Sequence, residues 1–215
     1  MASILREEII RGRVVPGERI VEGKWATKLK VAQASIREAL NILGAEGFVQ
    51  KGPNRSATVT RLTTEDVLQT YQVRAALESL AARLVAERKP DLGLLDQALA
   101  DMRSAAECNN MRAFYERDLQ FHLLICELSG NRVLLDHVRR LVVPLFAFVV
   151  MKRGGAMDEP ERWKQSVVEH GQIVACLREG DPDFAEAFLA KAVRKFAGDT
   201  HDVLIRREFG KRFAT

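Results

Sequence analysis

The chain has 215 residues, of which 47% are hydrophobic and 29% charged, and its formal net charge is +4. This composition is typical of a folded globular protein and excludes intrinsic disorder. The longest apolar run, 141–151, is interrupted by Pro144 and is too short to cross a bilayer as a helix. Since Glu7 and Glu8 stand where a secretion signal needs apolar residues, we expect a cytoplasmic protein with no membrane contact.

The positive charge is concentrated at the N-terminal end. Residues 1–62 contain 11 basic and 6 acidic side chains, a net charge of +5, whereas the rest of the chain sums to −1. A basic module joined to a near-neutral body is typical of a nucleic-acid-binding domain followed by a second domain. We therefore predict a DNA-binding domain at 1–62 and a second domain at 63–215.

The N-terminal segment has the pattern of three short helices and a hairpin. Helices are predicted at about 4–12 and 21–29, and a third helix with apolar residues at helical spacing ends at Gly47. Two short alternating stretches, 48–50 and 57–60, flank a turn-forming segment. Together these elements predict a winged helix-turn-helix.

In such a module, the first turn of the third helix reaches base edges in the major groove. Here that turn contains Gln33, Ser35 and Arg37. Arg37 can donate two hydrogen bonds to guanine or bind a phosphate, and Gln33 can pair with adenine. Arg55, at the hairpin tip, can enter the minor groove or contact phosphate, and Lys24 adds a basic group from the second helix. Solvated surface charges are the alternative interpretation.

Several motifs of this segment occur in a familiar order and spacing: Ile9-Ile10-Arg11-Gly12, Pro16-Gly17-Glu18-Arg19-Ile20, Ile36-Arg37-Glu38-Ala39-Leu40 and Glu46-Gly47-Phe48-Val49. In these motifs the module resembles the DNA-binding domain of the GntR family. The resemblance implies a homodimer on a two-fold double-stranded operator. Ala32 and Gln33 stand where the family usually has serine and arginine, and Gly23 where a contacting basic residue is common. The family's consensus operator is therefore not carried over.

Beyond residue 62, six segments have apolar residues at helical spacing, and no segment has a clear strand pattern. They predict an all-α helical bundle. Pro144 is expected to kink or split one of these helices. The segments are 67–84, 92–102, 114–125, 132–152, 163–177 and 185–196.

Two of these apolar faces contain polar residues. Asp118 and His122 are four residues apart and therefore neighbours on one helix, and His170 takes an apolar position on another. A buried carboxylate and two imidazoles are costly unless they are paired or bound to metal, so the pattern indicates a metal or ligand site. Hydrogen-bonded core residues are the alternative. Arg74 faces inward and can hold an effector carboxylate or pair with Glu78.

A second resemblance covers this body, through motifs such as Val73-Arg74, Leu77-Glu78, Ser129-Gly130-Asn131 and Glu169-His170. They resemble the FCD effector-binding domain of the FadR subfamily. Its metal-binding members use an aspartate and three histidines. Asp118, His122 and His170 match the first three ligands, and Ala192 replaces the last. The resemblance implies a divalent metal, zinc, nickel or manganese, with an incomplete ligand set, or direct effector binding without metal.

The combined prediction is a non-enzymatic transcriptional regulator, and specifically a repressor. A small organic-acid effector, with or without metal, would control its affinity for the operator through the helical domain. One alternative is a metal-dependent enzyme using Asp118, His122 and His170. It lacks a separate candidate for a general base and leaves the basic module unexplained. The other alternative is a non-catalytic helical binding protein.

Overall fold

The computed structural model describes residues 1–52, 56–153 and 160–212, with side chains at 1–52, 56–151 and 161–197. The chain divides into two compact units. One contains residues 1–63 and a helical stretch that starts at Val143, and the other contains 64–142 and the described chain from 160 onward.

The first unit contains three helices and a small antiparallel sheet. The helices are α1 (Ala2–Ile10), α2 (Glu22–Leu29) and α3 (Gln33–Ala45), and the strands are β1 (Arg19–Val21), β2 (Val49–Gly52) and β3 (Ser56–Val59). The strand order is β1-β3-β2, with both pairs antiparallel. The predicted winged helix-turn-helix is confirmed. The sequence pattern did not predict β1, because three residues directly before a helix are too few to show alternation.

The core of this unit joins the helices to the sheet through buried aliphatic residues. Leu5, Ile9, Ile20, Ile36 and Leu43 are all fully or almost fully buried. These side chains come from α1, α3 and β1, so they fix the position of α3 relative to the sheet.

Gly47 follows the end of α3, at a position that only a residue without a side chain can occupy. Its φ is +77°, in the left-handed region, and a Cβ built there would lie 2.7 Å from the carbonyl oxygen of Val143. The turn therefore needs glycine for its backbone conformation and because the backbone at Val143 of the same chain passes close to it.

The second unit is a helical bundle, as predicted. Its helices are α4 (Thr64–Arg88), α5 (Gly93–Glu107), α6 (Met111–Leu128), α7 (Arg132–Arg153), α8 (Pro160–Glu179) and α9 (Pro182–Arg212). Within it, α4 packs against α6, α8 and α9, and α5 packs against α6 and α8. Since α7 contributes residues to both units, the domain limits 1–62 and 63–215 stay a prediction.

Two helices differ from those that the apolar pattern of the sequence predicts. Pro144 lies inside α7, which continues through it, so the expected split does not occur. The last helix continues to Arg212, well past the apolar face that ended near residue 196. In the described part of the chain, no helix combines the length and apolar character needed to cross a membrane.

Candidate metal centre and DNA-contacting surface

Two helices of the bundle bring the predicted metal ligands into one buried group. Asp118 and His122 lie one turn apart on α6, and His170 approaches them from α8. All three are buried, and each offers a ligand atom within 4.8 Å of the others. Glu78 of α4 and Ala192 of α9 border the same group. The periodicity of two separate helices thus leads to a single site.

The three ligand atoms have spacings close to those of a metal site. His170 Nε2 lies 2.8 Å from Asp118 Oδ1 and 3.3 Å from His122 Nε2, and His122 Nε2 lies 3.4 Å from Asp118 Oδ1. Ligands about 2.0–2.1 Å from a tetrahedral zinc ion are separated from each other by about 3.3 Å. Two of the three distances match this value, and the shortest is that of a hydrogen bond.

The outer nitrogens of both imidazoles have hydrogen-bond acceptors as partners. His170 Nδ1 lies 2.7 Å from the carbonyl oxygen of Ser166, and His122 Nδ1 lies 2.8 Å from Glu78 Oε2. A carbonyl only accepts, so His170 Nδ1 carries a proton and donates it to Ser166, and the Glu78 carboxylate beside His122 Nδ1 favours a proton on that nitrogen too. This is the usual support for a metal-ligating histidine, because it directs the Nε2 lone pair toward the metal.

When each ring carries a single proton, on Nδ1, the two Nε2 lone pairs and Asp118 Oδ1 point at the same space. Three acceptors without a donor repel one another, so a cation must lie between them, either a proton or a metal ion. The mixed nitrogen and oxygen donor set suits zinc, nickel or manganese. The residues present thus fit a divalent metal.

The charges around the site favour a bound cation. Burial would raise the pKa of Asp118, but hydrogen bonds with His122 and His170 hold it well below its usual range. Burial also opposes ionisation of Glu78, yet the charges of Arg74 and His122 lower its pKa to about 2. In His122, burial acts to lower the pKa and the Glu78 carboxylate outweighs it, so the pKa is raised. Arg74 balances one of the two carboxylates, which leaves one negative charge for the cation.

The position of Arg74 is compatible with both of its predicted roles, which are pairing with Glu78 and holding an effector carboxylate. Its Nε donates to Glu78 Oε1 at 2.5 Å, and its guanidinium lies over the ring of Tyr71. It also forms part of the wall of the cavity beside the ligand atoms. The contact with Glu78 is therefore present, and the arginine stays within reach of a molecule in the cavity.

The cavity beside the ligands is small, and Ala192 contributes to its wall. Its volume is about 30 Å³, which is enough for an ion or a water molecule. Because alanine has no donor atom, the side chains that the structure describes offer three ligands here and leave at least one coordination position open among them. The lining residues are Arg74, Asp118, His122, Glu169, His170, Ile173, Ala192, Val193 and Phe196.

The first unit presents the residues predicted to contact DNA. Gln33 begins α3, Ser35 and Arg37 follow within its first two turns, and Lys24 is exposed on α2. The side chain of Arg37 is 47% exposed, whereas Gln33 and Ser35 are partly exposed. Arg55 lies outside the described residues.

Sequence reasoning missed two carboxylates that contact these predicted residues. Glu22 accepts hydrogen bonds from Arg37 and Gln33, and this contact raises the pKa of Arg37. The sequence predicts Glu78 as a partner of Arg74 but does not predict its contact with His122. In each case the available signal is an acidic residue at a helical position that faces the core. Glu22 is at the start of α2, and Glu78 is on the inner face of α4.

Comparison with known families accounts for almost all of the described chain. Residues 1–59 match the family described as bacterial regulatory proteins, gntR family, and residues 69–195 match the FCD domain. The second match alone covers more than half of the sequence, and the two follow each other in the order of the two units.

Individual relatives are similar to this chain over most of their length. The Nta operon transcriptional regulator of Aminobacter aminovorans is 34% identical over 84% of this chain and 83% of its own. The Glc operon transcriptional activator of Escherichia coli K12 is 26% identical over 89% and 82%. The solved structure of E. coli McbR/YncC has a TM-score of 0.72 over 94% and 95% of the two chains. At 21% identity, it supports the fold alone.

Proposed function

The chain belongs to the GntR family of DNA-binding transcriptional regulators and carries an FCD domain, and we propose that a small organic acid bound in that domain controls its affinity for an operator. We further propose that the protein is cytoplasmic, contacts the operator as a homodimer and represses transcription. Members of this family are regulators, so a metalloenzyme is not proposed.

The observation that carries the proposal is the convergence of three acceptor atoms from Asp118, His122 and His170 in a buried cavity. These residues would hold zinc, nickel or manganese. When bound, the metal supplies a positive centre to which a carboxylate oxygen can attach. Arg74, on the same wall, would pair with the acid. The coordination position left open beside Ala192 is where a carboxylate oxygen would attach.

The operator would be contacted through the first turn of α3. Gln33, Ser35 and Arg37 are candidates for base contacts, and Lys24 and Arg55 for contacts with phosphate or the minor groove. A two-fold symmetric dimer presents two such helices to a two-fold operator. An acid that binds one arrangement of the protein more tightly than the other changes the operator affinity, because the two binding equilibria are coupled.

The test uses metal-depleted protein and a fluorescent duplex that the wild type enriches from a random-sequence library. Operator affinity is measured by anisotropy with small mono-, di- and tricarboxylates, with and without zinc, nickel or manganese. At least one acid should change the affinity by about 5–150-fold, and the methyl ester of that acid should not. If no acid changes operator affinity or melting temperature in metal-loaded protein, effector control is refuted.

Arg37→Ala should weaken binding to the enriched duplex by about 1–3 kcal/mol while leaving binding to a scrambled duplex nearly unchanged, if Arg37 contacts a base. The reason is that a scrambled sequence lacks the partner for its guanidinium. Anisotropy titrations on both duplexes measure the difference. Arg11→Ala is the control, since Arg11 is exposed just after the end of α1 and pairs with Glu7. An equal loss on both duplexes would identify a phosphate contact instead.

Glu78→Gln should lower zinc affinity by about 10–100-fold, the usual effect of losing an outer partner of a ligating histidine. The carboxylate lies 2.8 Å from His122 Nδ1 and thereby favours the ring form whose Nε2 is free to bind the metal. Competition with a chromophoric chelator measures the change. Glu169→Gln is the matched control, because it removes a carboxylate from the same cavity wall, where Glu169 pairs with Lys195. Equal zinc affinity in the wild type and Glu78→Gln would exclude this role.

A further inference from the structure

We propose that Glu22 is a positioning residue for operator recognition, which holds Arg37 and Gln33 in the orientations that contact guanine and adenine. This inference rests on the proposed function, in which the first turn of α3 contacts bases. It adds an acidic residue to a surface whose other candidates are basic or neutral.

The geometry connects one carboxylate to two side chains of the next helix. Arg37 Nε lies 3.2 Å from both carboxylate oxygens of Glu22, and one terminal nitrogen lies 3.0 Å from Oε2. Gln33 Nε2 lies 3.3 Å from the same Oε2. The side chain of Glu22 is only 7% exposed, whereas that of Arg37 is 47% exposed. The carboxylate is thus a buried anchor with a partly exposed partner.

The contact uses one edge of the Arg37 guanidinium and leaves another edge for DNA. Glu22 accepts from Nε and from one terminal nitrogen, which together form the side edge of the planar group. The end edge, formed by the two terminal nitrogens, still carries two parallel N–H groups. Two parallel donors match O6 and N7 of guanine in the major groove. The pairing therefore orients Arg37 for guanine and reduces the side-chain freedom lost on binding.

The same carboxylate determines which way the Gln33 amide faces. An ionised carboxylate only accepts hydrogen bonds, so the nitrogen of the amide must be the atom next to Glu22. The amide oxygen and the second N–H are then available together, and this acceptor–donor pair matches N6 and N7 of adenine. The expected half site has a guanine opposite Arg37 and an adenine opposite Gln33.

Electrostatics alone predicts the opposite effect for Glu22. A carboxylate at a DNA-binding surface repels phosphate, so its removal should strengthen binding to every sequence. A positioning role predicts weaker binding to the enriched sequence and no loss on other sequences. The sign of the change on the enriched duplex therefore separates the two roles.

The experiment compares Glu22→Gln with the wild type on the duplex enriched from a random library and on a scrambled duplex of the same composition. Glu22→Gln keeps the shape of the side chain and removes its charge. We expect a loss of roughly 5–20-fold on the enriched duplex, part of the discrimination that one bidentate arginine–guanine contact provides. On the scrambled duplex, affinity should stay equal or rise. In the Arg37→Ala background, Glu22→Gln should have little further effect on the enriched duplex.

Two further variants address charge and folding. Glu38→Gln removes an exposed carboxylate from the residue next to Arg37 and should strengthen binding to both duplexes alike. Glu22→Asp keeps the charge but shortens the side chain by one methylene, so a loss confined to the enriched duplex is expected even if Glu22→Gln unfolds. Melting curves of the metal-free proteins show which variants are folded.

The outcomes distinguish this inference from the proposed function. If Glu22→Gln strengthens binding to both duplexes, as Glu38→Gln should, or if Glu22→Asp leaves the enriched duplex unaffected, Glu22 has no positioning role. If Arg37→Ala still weakens binding to the enriched duplex selectively, only the inference about Glu22 has failed. If Arg37→Ala affects neither duplex, base contact by this turn of α3 has failed, and the inference with it.

Discussion

Asp118→Ala is expected to abolish metal binding, so that protein purified without chelator falls from near-stoichiometric metal to background. Asp118 is the oxygen donor of the group, and its Oδ1 lies 2.8 and 3.4 Å from the two histidine nitrogens. Without it, two neutral imidazoles remain, and the negative charge that attracts a cation is lost. Elemental analysis of both proteins measures the metal.

Thermal unfolding provides an independent readout of the same change. Zinc at a hundred times its dissociation constant should stabilise the wild type by about 2.7 kcal/mol, or roughly 5–10 °C for a chain of this length. The mutant should show no such shift. Asp118→Asn serves as an isosteric variant in case alanine unfolds the protein, and Asp96→Ala, which removes an exposed carboxylate paired with Arg178, is the matched control. Metal retained by Asp118→Ala at the wild-type level would refute this ligand assignment.

Ala192→His is expected to raise zinc affinity by at least about 10–100-fold, the range that even an outer-shell partner contributes. Ala192 borders the cavity that the three ligand atoms face, so a histidine there can add a fourth donor and complete a closed tetrahedral set. The same change should abolish the response to organic acids, because the open position is then occupied. Chelator competition measures affinity, and operator anisotropy measures the acid response.

Two controls separate ligation from mere filling of the cavity. Ala192→Leu occupies the space without a donor atom, so it should reduce the acid response without increasing zinc affinity. Ala190→His places an imidazole on the same helix, two residues away and off the cavity wall. If Ala192→His increases zinc affinity no more than Ala192→Leu does, residue 192 does not face the metal as proposed.

Much of the fold follows from local patterns. The apolar spacing of α3 and of the six bundle helices predicts these helices, because apolar residues that recur every three to four positions are visible in the sequence itself. Strand β1 lacks such a signal, since its pairing with β3 depends on contacts nearly 40 residues away. Continuity of α7 through Pro144 likewise depends on packing around the helix, which local sequence does not encode.

The candidate site, like the fold, could be predicted only in part from the sequence. The spacing of Asp118 and His122 on one helix and the apolar position of His170 on another are visible in the sequence, and the family resemblance joins the three as ligands. The contacts of Glu22 with Arg37 and of Glu78 with His122 join different helices across 15 and 44 residues. Helical spacing can indicate that an acidic residue faces the core, but it does not identify the residue on another helix with which that carboxylate pairs.

Glu78 contacts Arg74 through both of its oxygens and His122 through Oε2, so one buried carboxylate is shared by the two groups proposed to hold the acid and the metal. An acid held by Arg74 and a metal held by His122 would both act on the same buried charge, so neither would bind independently of the other. By linkage, any factor by which the acid tightens metal binding equals the factor by which metal tightens acid binding. Such a regulator would report the joint abundance of acid and metal, and a shortage of either would blunt its response to the other.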